Sequence, residues 1–255
     1  MNQDPAKLVQ MTSPEIQGAL DGGVRRVVFA AGAIEQHGPH LPLATDTLIG
    51  DRLAESVAGI LGDCLVGPTI PFGISPHHLP FAGTISLSRE TFTGVLHDYV
   101  ASMAEHGFAE ILIIGSHGGN FAALAEFVSR YGSSYPGSRV AAYSDLMVFT
   151  DFLAGLNRAR GVDPAEGGTH AGESETSMIL NLRPGLVRRE RATTGFVGEL
   201  TEDLVESLFA SGMPAISPTG VIGDARGASA ERGDFYLSEL ATHIAGYLAD
   251  QLAQQ

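Results

Sequence analysis

A chain of 255 residues with 44% hydrophobic content can bury the core of one substantial α/β domain. Its net charge of −14 argues against nucleic acid or an anionic membrane surface as a partner. A single cysteine, Cys64, excludes an intrachain disulfide and a Cys-based zinc site. MNQDPAKLVQ has neither the basic nor the apolar region of a secretory signal, and no apolar run approaches the roughly twenty residues of a membrane span. A cytoplasmic location is therefore expected. No internal repeat, low-complexity tract or composition shift marks a boundary, so residues 1–255 read as one domain.

Ser13-Pro14-Glu15 reads as N-cap, N1 proline and first-turn acid of a short helix that stops at Gly22-Gly23. Val24–Ala31 is a β-branched, apolar first strand. The stretch GAIEQHGPHLPLATD follows, Gly32 to Asp46, and carries Glu35, His37, His40 and Asp46. Glu35 and His37 are two apart, so an extended backbone points both to one face. Carboxylate plus imidazole there is ligand chemistry for a divalent metal such as Zn or Mn. Asp46 or Thr47 can cap the next helix, whose apolar face is Ile49, Leu53, Val57 and Ile60. Leu65–Ile70 is a second strand. Pro71 to Ser88 is a long proline- and glycine-rich loop with His77 and His78, and loops of that length are often functional. Ser88 caps a helix with a stripe of Phe92, Val95, Leu96, Tyr99, Val100 and Met103, ended by Gly107.

Ile111–Ile114 is a continuous apolar run, the mark of a strand buried on both faces of a parallel sheet. It runs into GSHGGN, Gly115 to Asn120, with Asn120 as cap of the helix Phe121–Tyr131. In open α/β sheets ligands bind at such strand ends. Gly118 and Gly119 either let backbone approach a ligand closely or form a tight turn. Arg139–Tyr143 is a strand and Met147–Ala159 a helix. THAGESETSMIL, Thr169 to Leu180, reads as loop into helix. Leu200–Ala210 is helical, GVIGDARGASAERG is a glycine-rich loop, and Leu237, Leu240, Ile244, Tyr247 and Leu248 make the last helix amphipathic. Alternation of strands and helices predicts a three-layer α/β/α sandwich around a mainly parallel sheet.

Three separated segments thus set acids and histidines at strand ends or helix starts: Glu35, His37 and Asp46; His117; and His170, Glu173 and Glu175. Together they supply the donors of a two-metal hydrolytic site in which one carboxylate bridges the ions. His40 has a structural reading as well, bonding the motif loop. His78 is a candidate substrate contact, together with Gly118 and Gly119. A rival class is a mononuclear non-haem iron redox enzyme with His37, His117 and Asp46 as ligands, in which Glu35 and Glu175 would fill the positions oxygen needs. A metal-holding binding protein would leave His170 and Glu173 unexplained.

GAIEQHGPHLPLATD, GSHGGN and HAGESETS resemble, in order and approximate spacing, the signature segments of the creatininase-family amidohydrolases. HHLPFAGTISLS and GDARGASAERG also look like that family, and the resemblance runs roughly from Val24 to Gly233. It implies a three-layer α/β/α fold, a homo-oligomer (a hexamer built as a trimer of dimers) and two divalent ions per chain, Zn, Mn or Fe. Glu35 and His117 would hold one ion, His37 the other, and Asp46 would bridge. His170 is similar to the family's catalytic histidine, with Glu173 as a second catalytic candidate. Creatinine-hydrolysing members carry a metal-binding glutamate two residues after the histidine of GSHGGN, where this chain has Gly119. Members with the HGGN form recruit the glutamate of the H-A-G-x-x-E-T-S segment, here Glu175, with Glu173 the competing candidate. The implied activity is metal-dependent hydrolysis of an amide-type C–N bond in a small molecule: a cyclic amide, a formamide or a peptide-derived amide. Some relatives open carbocyclic ketones instead. Creatinine is expected to be a poor substrate, because of Gly119 and because the chain has no tryptophan to enclose a planar ring.

Overall fold

A computed structural model describes residues 5–198 and 201–255. Strands β1 (Arg26–Ala31), β2 (Cys64–Val66), β3 (Glu110–Gly115) and β4 (Arg139–Tyr143) form a parallel sheet in the order β2-β1-β3-β4. The strands read as continuous apolar runs because both faces are covered. Val27, Phe29, Ile111 and Ile113 point into one core, and Val28, Ala30, Leu112 and Ile114 into the other. Helices α1 (Ser13–Asp21), α3 (Arg89–Glu105) and α4 (Phe121–Tyr131) close the first core with Leu20, Phe92, Leu96, Leu124 and Phe127. The second is closed by α2 (Thr45–Leu61), α7 (Glu173–Leu182) and α9 (Ala230–Ala253), through Leu53, Val57, Ile179, Leu240 and Ile244. This is the expected α/β/α sandwich. Helices α5 (Leu146–Ala159), α6 (Pro164–Gly167) and α8 (Glu202–Ser211) flank it. Among the described residues no helix is long and apolar enough to cross a membrane.

Several boundaries moved for local reasons. The second strand stops at Val66, because Gly67-Pro68 follows and proline offers no ladder donor; Ile70 makes only an isolated bridge to Ala31. Helix α1 is capped at Thr12, whose N–H donates to Glu15 Oε2 at 2.6 Å. Asp46 is not a cap, since α2 opens at Thr45 and turns Asp46 inward. Asn120 does not cap α4 with its side chain. It accepts from the Ile74 N–H and donates to the carbonyls of Ala31 and Gly32, tying the Pro71–Ser88 loop to the end of β1. Leu200, the expected start of α8, lies outside the described residues.

The chain leaves β1 toward β2 on one side and returns to β3 on the other. The order of connection therefore reverses between β1 and β3, and a crevice opens beyond their paired ends, Ala31 and Gly115. GAIEQHGPHLPLATD and GSHGGN both exit there.

Candidate active site

Four segments bring their polar groups to this crevice. The loop after β1 supplies Glu35 and His37, the first turn of α2 Asp46, the loop after β3 His117, and the entry to α7 His170 and Glu175. Glu35, His37, Asp46, His117 and His170 are buried. Asp46 Oδ1 lies 3.2 Å from His37 Nε2, and Asp46 Oδ2 lies 3.2 Å from His117 Nδ1. Glu35 Oε1 is 3.4 Å from His117 Nδ1 and 3.6 Å from His170 Nδ1, and Glu175 Oε2 is 3.7 Å from His37 Nε2. The donors therefore fall into overlapping groups: Glu35, Asp46 and His117; His37, Asp46 and Glu175; Glu35, His37 and His170. In each group the donor atoms lie within 4.8 Å of one another. Asp46 belongs to the first two, with one oxygen toward each histidine.

The three imidazoles are oriented by one device. His37 Nδ1 faces the backbone carbonyl of Glu35 at 3.1 Å, His117 Nε2 that of Ile74 at 3.0 Å, and His170 Nε2 that of Gln36 at 2.8 Å. A nitrogen against a carbonyl carries the proton, so the opposite nitrogen of each ring turns toward the carboxylates. Metal-ligating histidines are held this way. Ala171, in a left-handed conformation at φ 54°, separates His170 from α7, and its N–H donates to Glu175 Oε2 at 2.5 Å.

The buried oxygens Glu35 Oε1, Glu35 Oε2 and Asp46 Oδ2 have no aligned hydrogen-bond donor. Buried carboxylates without donors call for a cation, and mixed nitrogen and oxygen donors suit Zn, Mn or Fe. The residues therefore fit divalent metal. Burial opposes a charged His37, but Asp46, Glu175 and Glu35 outweigh it and push its pKa up to about 10. His117 is likewise raised, with burial overcome by Glu35 and Asp46. Burial works against an ionised Asp46, yet His37 and His117 hold it below the usual carboxylate range. Glu175 is pushed up to about 7 by burial and by Asp46 and Glu35, against the pull of His37. Burial and the charge of His37 keep His170 well below the ordinary histidine range.

Two expectations need correction. Glu173 does not join His170. Its oxygens are taken by Ser177 Oγ and Arg232 Nε, both at 2.6 Å, and by the Tyr236 hydroxyl at 2.9 Å, and it borders a cleft shared with Arg160, Asp224 and Arg226. Two residues apart on a helix, Glu173 and Glu175 face nearly opposite ways. Gly119 is not an open substrate-facing backbone: a Cβ there would meet Ile74 O at 2.2 Å and His117 Nε2 at 2.5 Å. Gly118 is exposed, with only Leu146 near its missing Cβ. His78 is buried at the crevice, with Nε2 3.3 Å from Glu35 Oε1. His40 has a structural contact, but to α7 rather than to the motif loop, its Nε2 lying 2.9 Å from Thr176 Oγ1. Sequence reasoning missed Gln36 and Ser75, both buried against site histidines. For Gln36 its place between Glu35 and His37 was the available signal.

The model of the family described as "Creatininase: Creatinine amidohydrolase" matches residues 9–248. The chain is 34% identical to the mycofactocin precursor peptide peptidase of Mycobacterium ulcerans, over 88% of this chain and 84% of that one. It is 26% identical to the creatinine amidohydrolase of Pseudomonas putida, over 95% of each. The solved structure "Creatininase Mn" superposes with a TM-score of 0.76 at 25% identity, over 97% of this chain and 98% of that one.

Proposed function

The chain belongs to the creatininase family of hydrolytic enzymes acting on amide-type bonds, and from that premise we propose that it is a two-metal amidohydrolase cleaving a peptide-derived amide. The observation that carries the two-metal reading is Asp46, one carboxylate whose oxygens address two donor groups. Glu35 and His117 would hold one divalent ion, His37 and Glu175 the other, with Asp46 shared. Such a pair supplies Lewis acidity toward the amide carbonyl and makes water nucleophilic near neutral pH.

The chain's own groups do the rest. His170 presents its proton-free Nδ1 toward Glu35. From there it takes the proton of the attacking water and returns it to the departing nitrogen, so that the C–N bond breaks with a neutral amine leaving. Glu175 and Asp46 fix His37. The buried crevice excludes bulk water, which strengthens each of these interactions.

A peptide-derived substrate is favoured over creatinine on three grounds. The relatives at 31–35% identity are named precursor peptide peptidases, whereas the creatinine enzyme stands at 26%. The chain has no tryptophan to sandwich a planar ring. Phe209, exposed and packed on His77 at 4.8 Å, and exposed Leu79 give the site loop an apolar flank suited to a peptide side chain. Hexamer assembly and a cytoplasmic location are part of the same proposal. The test is kcat/KM for short peptides, formamides, cyclic amides and creatinine with zinc or manganese loaded. Peptides should lead; a creatinine value above the rest of the panel overturns the substrate assignment.

A further inference from the structure

Three imidazole nitrogens ring one oxygen of Glu35: His78 Nε2 at 3.3 Å, His117 Nδ1 at 3.4 Å and His170 Nδ1 at 3.6 Å. Which of them carries a hydrogen decides how that carboxylate is held. His117 and His170 each spend a proton on a backbone carbonyl from Nε2, so their Nδ1 atoms are the ones free to meet a metal or a proton. His78 is different, and the residue that makes it different is Gln36.

The side chain of Gln36 is 4% exposed and has its orientation fixed from both ends. The Gly38 N–H donates to its Oε1 at 3.0 Å, so the other terminal atom is the amide nitrogen, 3.1 Å from the carbonyl of Gly220. That nitrogen has two hydrogens. One goes to Gly220. The second has two neighbours, His78 Nδ1 at 2.8 Å and His170 Nε2 at 2.9 Å. His170 Nε2 is already a donor, since it faces the backbone carbonyl of Gln36 at 2.8 Å. It cannot also accept. The remaining amide hydrogen therefore goes to His78 Nδ1, which must be a lone pair. The proton of His78 sits on Nε2, pointing at Glu35. The other assignments turn a His170 lone pair onto the carbonyl of Gln36 or the Gln36 amide oxygen onto that of Gly220; this one leaves the His170 N–H beside the amide nitrogen with its hydrogen directed to the carbonyl of Gln36.

We propose that Gln36 is a positioning residue: its amide locks His78 in the Nε2–H tautomer, and that N–H orients the Glu35 carboxylate. The contact at 3.3 Å is not linear, so the N–H acts on Glu35 as an aimed dipole rather than through an aligned hydrogen bond. Its effect is large because Glu35 Oε1 and Oε2 have no aligned donor at all. Carboxylate ligands are themselves held by outer hydrogen bonds, and loss of such a partner costs roughly 10–100-fold in metal affinity. The inference rests on the reading of Glu35 as a metal ligand.

The experiment has two arms. In protein with 15N-labelled histidine, two-bond 15N–1H spectra report which nitrogen of His78 is protonated. Nε2 is expected in the unsubstituted protein, a loss of that single tautomer in Gln36→Leu, and reversal to Nδ1 in Gln36→Glu, where only an acceptor faces the ring. In the second arm, zinc affinity is measured by chelator competition. Gln36→Leu should weaken one of two sites by roughly 10-fold or more and leave the other unchanged. His78→Gln keeps an N–H donor and should bind more tightly than His78→Leu, a comparison that holds if Gln36→Leu does not fold. A His78 proton on Nδ1 in the unsubstituted protein overturns the proposal. So do equal affinities for folded Gln36→Leu and the unsubstituted protein, or for His78→Gln and His78→Leu. An unsubstituted protein that takes up no zinc overturns instead the metal reading beneath it.

Discussion

Adding one methyl group at Gly119 should damage the site from outside it. The ideal Cβ would lie 2.2 Å from Ile74 O and 2.5 Å from His117 Nε2, and those two atoms bond each other at 3.0 Å. Normal contact needs about 1 Å more, so the carbonyl and the ring must be driven apart. Overpacking of this size costs about 1–3 kcal/mol, and the stranded carbonyl and imidazole N–H add about 1–3 kcal/mol. Gly119→Ala should therefore lose about 2–6 kcal/mol, a fall in Tm of roughly 4–12 °C for a chain of this size. His117 loses the carbonyl that sets its tautomer, so the ion shared with Glu35 and Asp46 should bind roughly 10–100-fold more weakly. Gly118→Ala is the control, because the nearest atom to its Cβ is Leu146 Cδ1 at 3.9 Å. Melting curves and zinc competition on the two variants form the assay. Should Gly119→Ala match Gly118→Ala in both, the close packing of His117 against Ile74 is not what orders this site. The same geometry explains why a glutamate at 119, as in the creatinine-hydrolysing pattern, could not be installed here without moving backbone.

Asp46→Ala should empty both metal positions and Glu35→Ala mainly one, as metal analysis of the purified variants will read; full metal content in both would refute the shared-carboxylate assignment. His170→Ala should lower kcat by roughly 10²–10⁴-fold with metal content retained, and loss of metal would make His170 a ligand instead. Zinc affinity at the position held by His37 and Glu175 should rise with pH. His37 holds its proton up to about pH 10, so uptake displaces it, and affinity grows about tenfold per pH unit. Below about pH 7 Glu175 is protonated too and a second proton must leave, so the slope should steepen to about two; a slope unchanged across pH 7 would argue against Glu175 as a ligand. Glu173→Ala strands Arg232 and the Tyr236 hydroxyl and should cost about 3 kcal/mol by denaturant melting, with zinc content unchanged.

Much of this molecule is local in origin and could be read from the chain. Alternation within VVFAA and ILII assigns strand residues to two cores, and the 3.6-residue stripe through Phe92, Leu96 and Val100 marks the buried side of its helix. Glu35, His37 and His117 stand in short segments at strand ends, and His170 in one at a helix start, placements that follow from those patterns. What spacing could not decide was direction. Glu173 and Glu175 are equally near His170 in sequence, and only the packing of α7 on α9 turned Glu173 to Arg232 and Tyr236 and left Glu175 facing His37. Asp46 reads both as a possible helix cap and as a donor of the site, and the choice falls only when α2 is laid on the sheet and its first turn faces the crevice. Asn120 reads as a cap for the same reason, Gln36 carries no signal beyond its place between Glu35 and His37, and Ser75 carries none, because each acts on partners dozens of residues away. Periodicity reports which side of an element is apolar. It does not report which polar groups from distant segments will meet, because that is set by how the elements close on one another and by the need of every buried donor and acceptor for a partner.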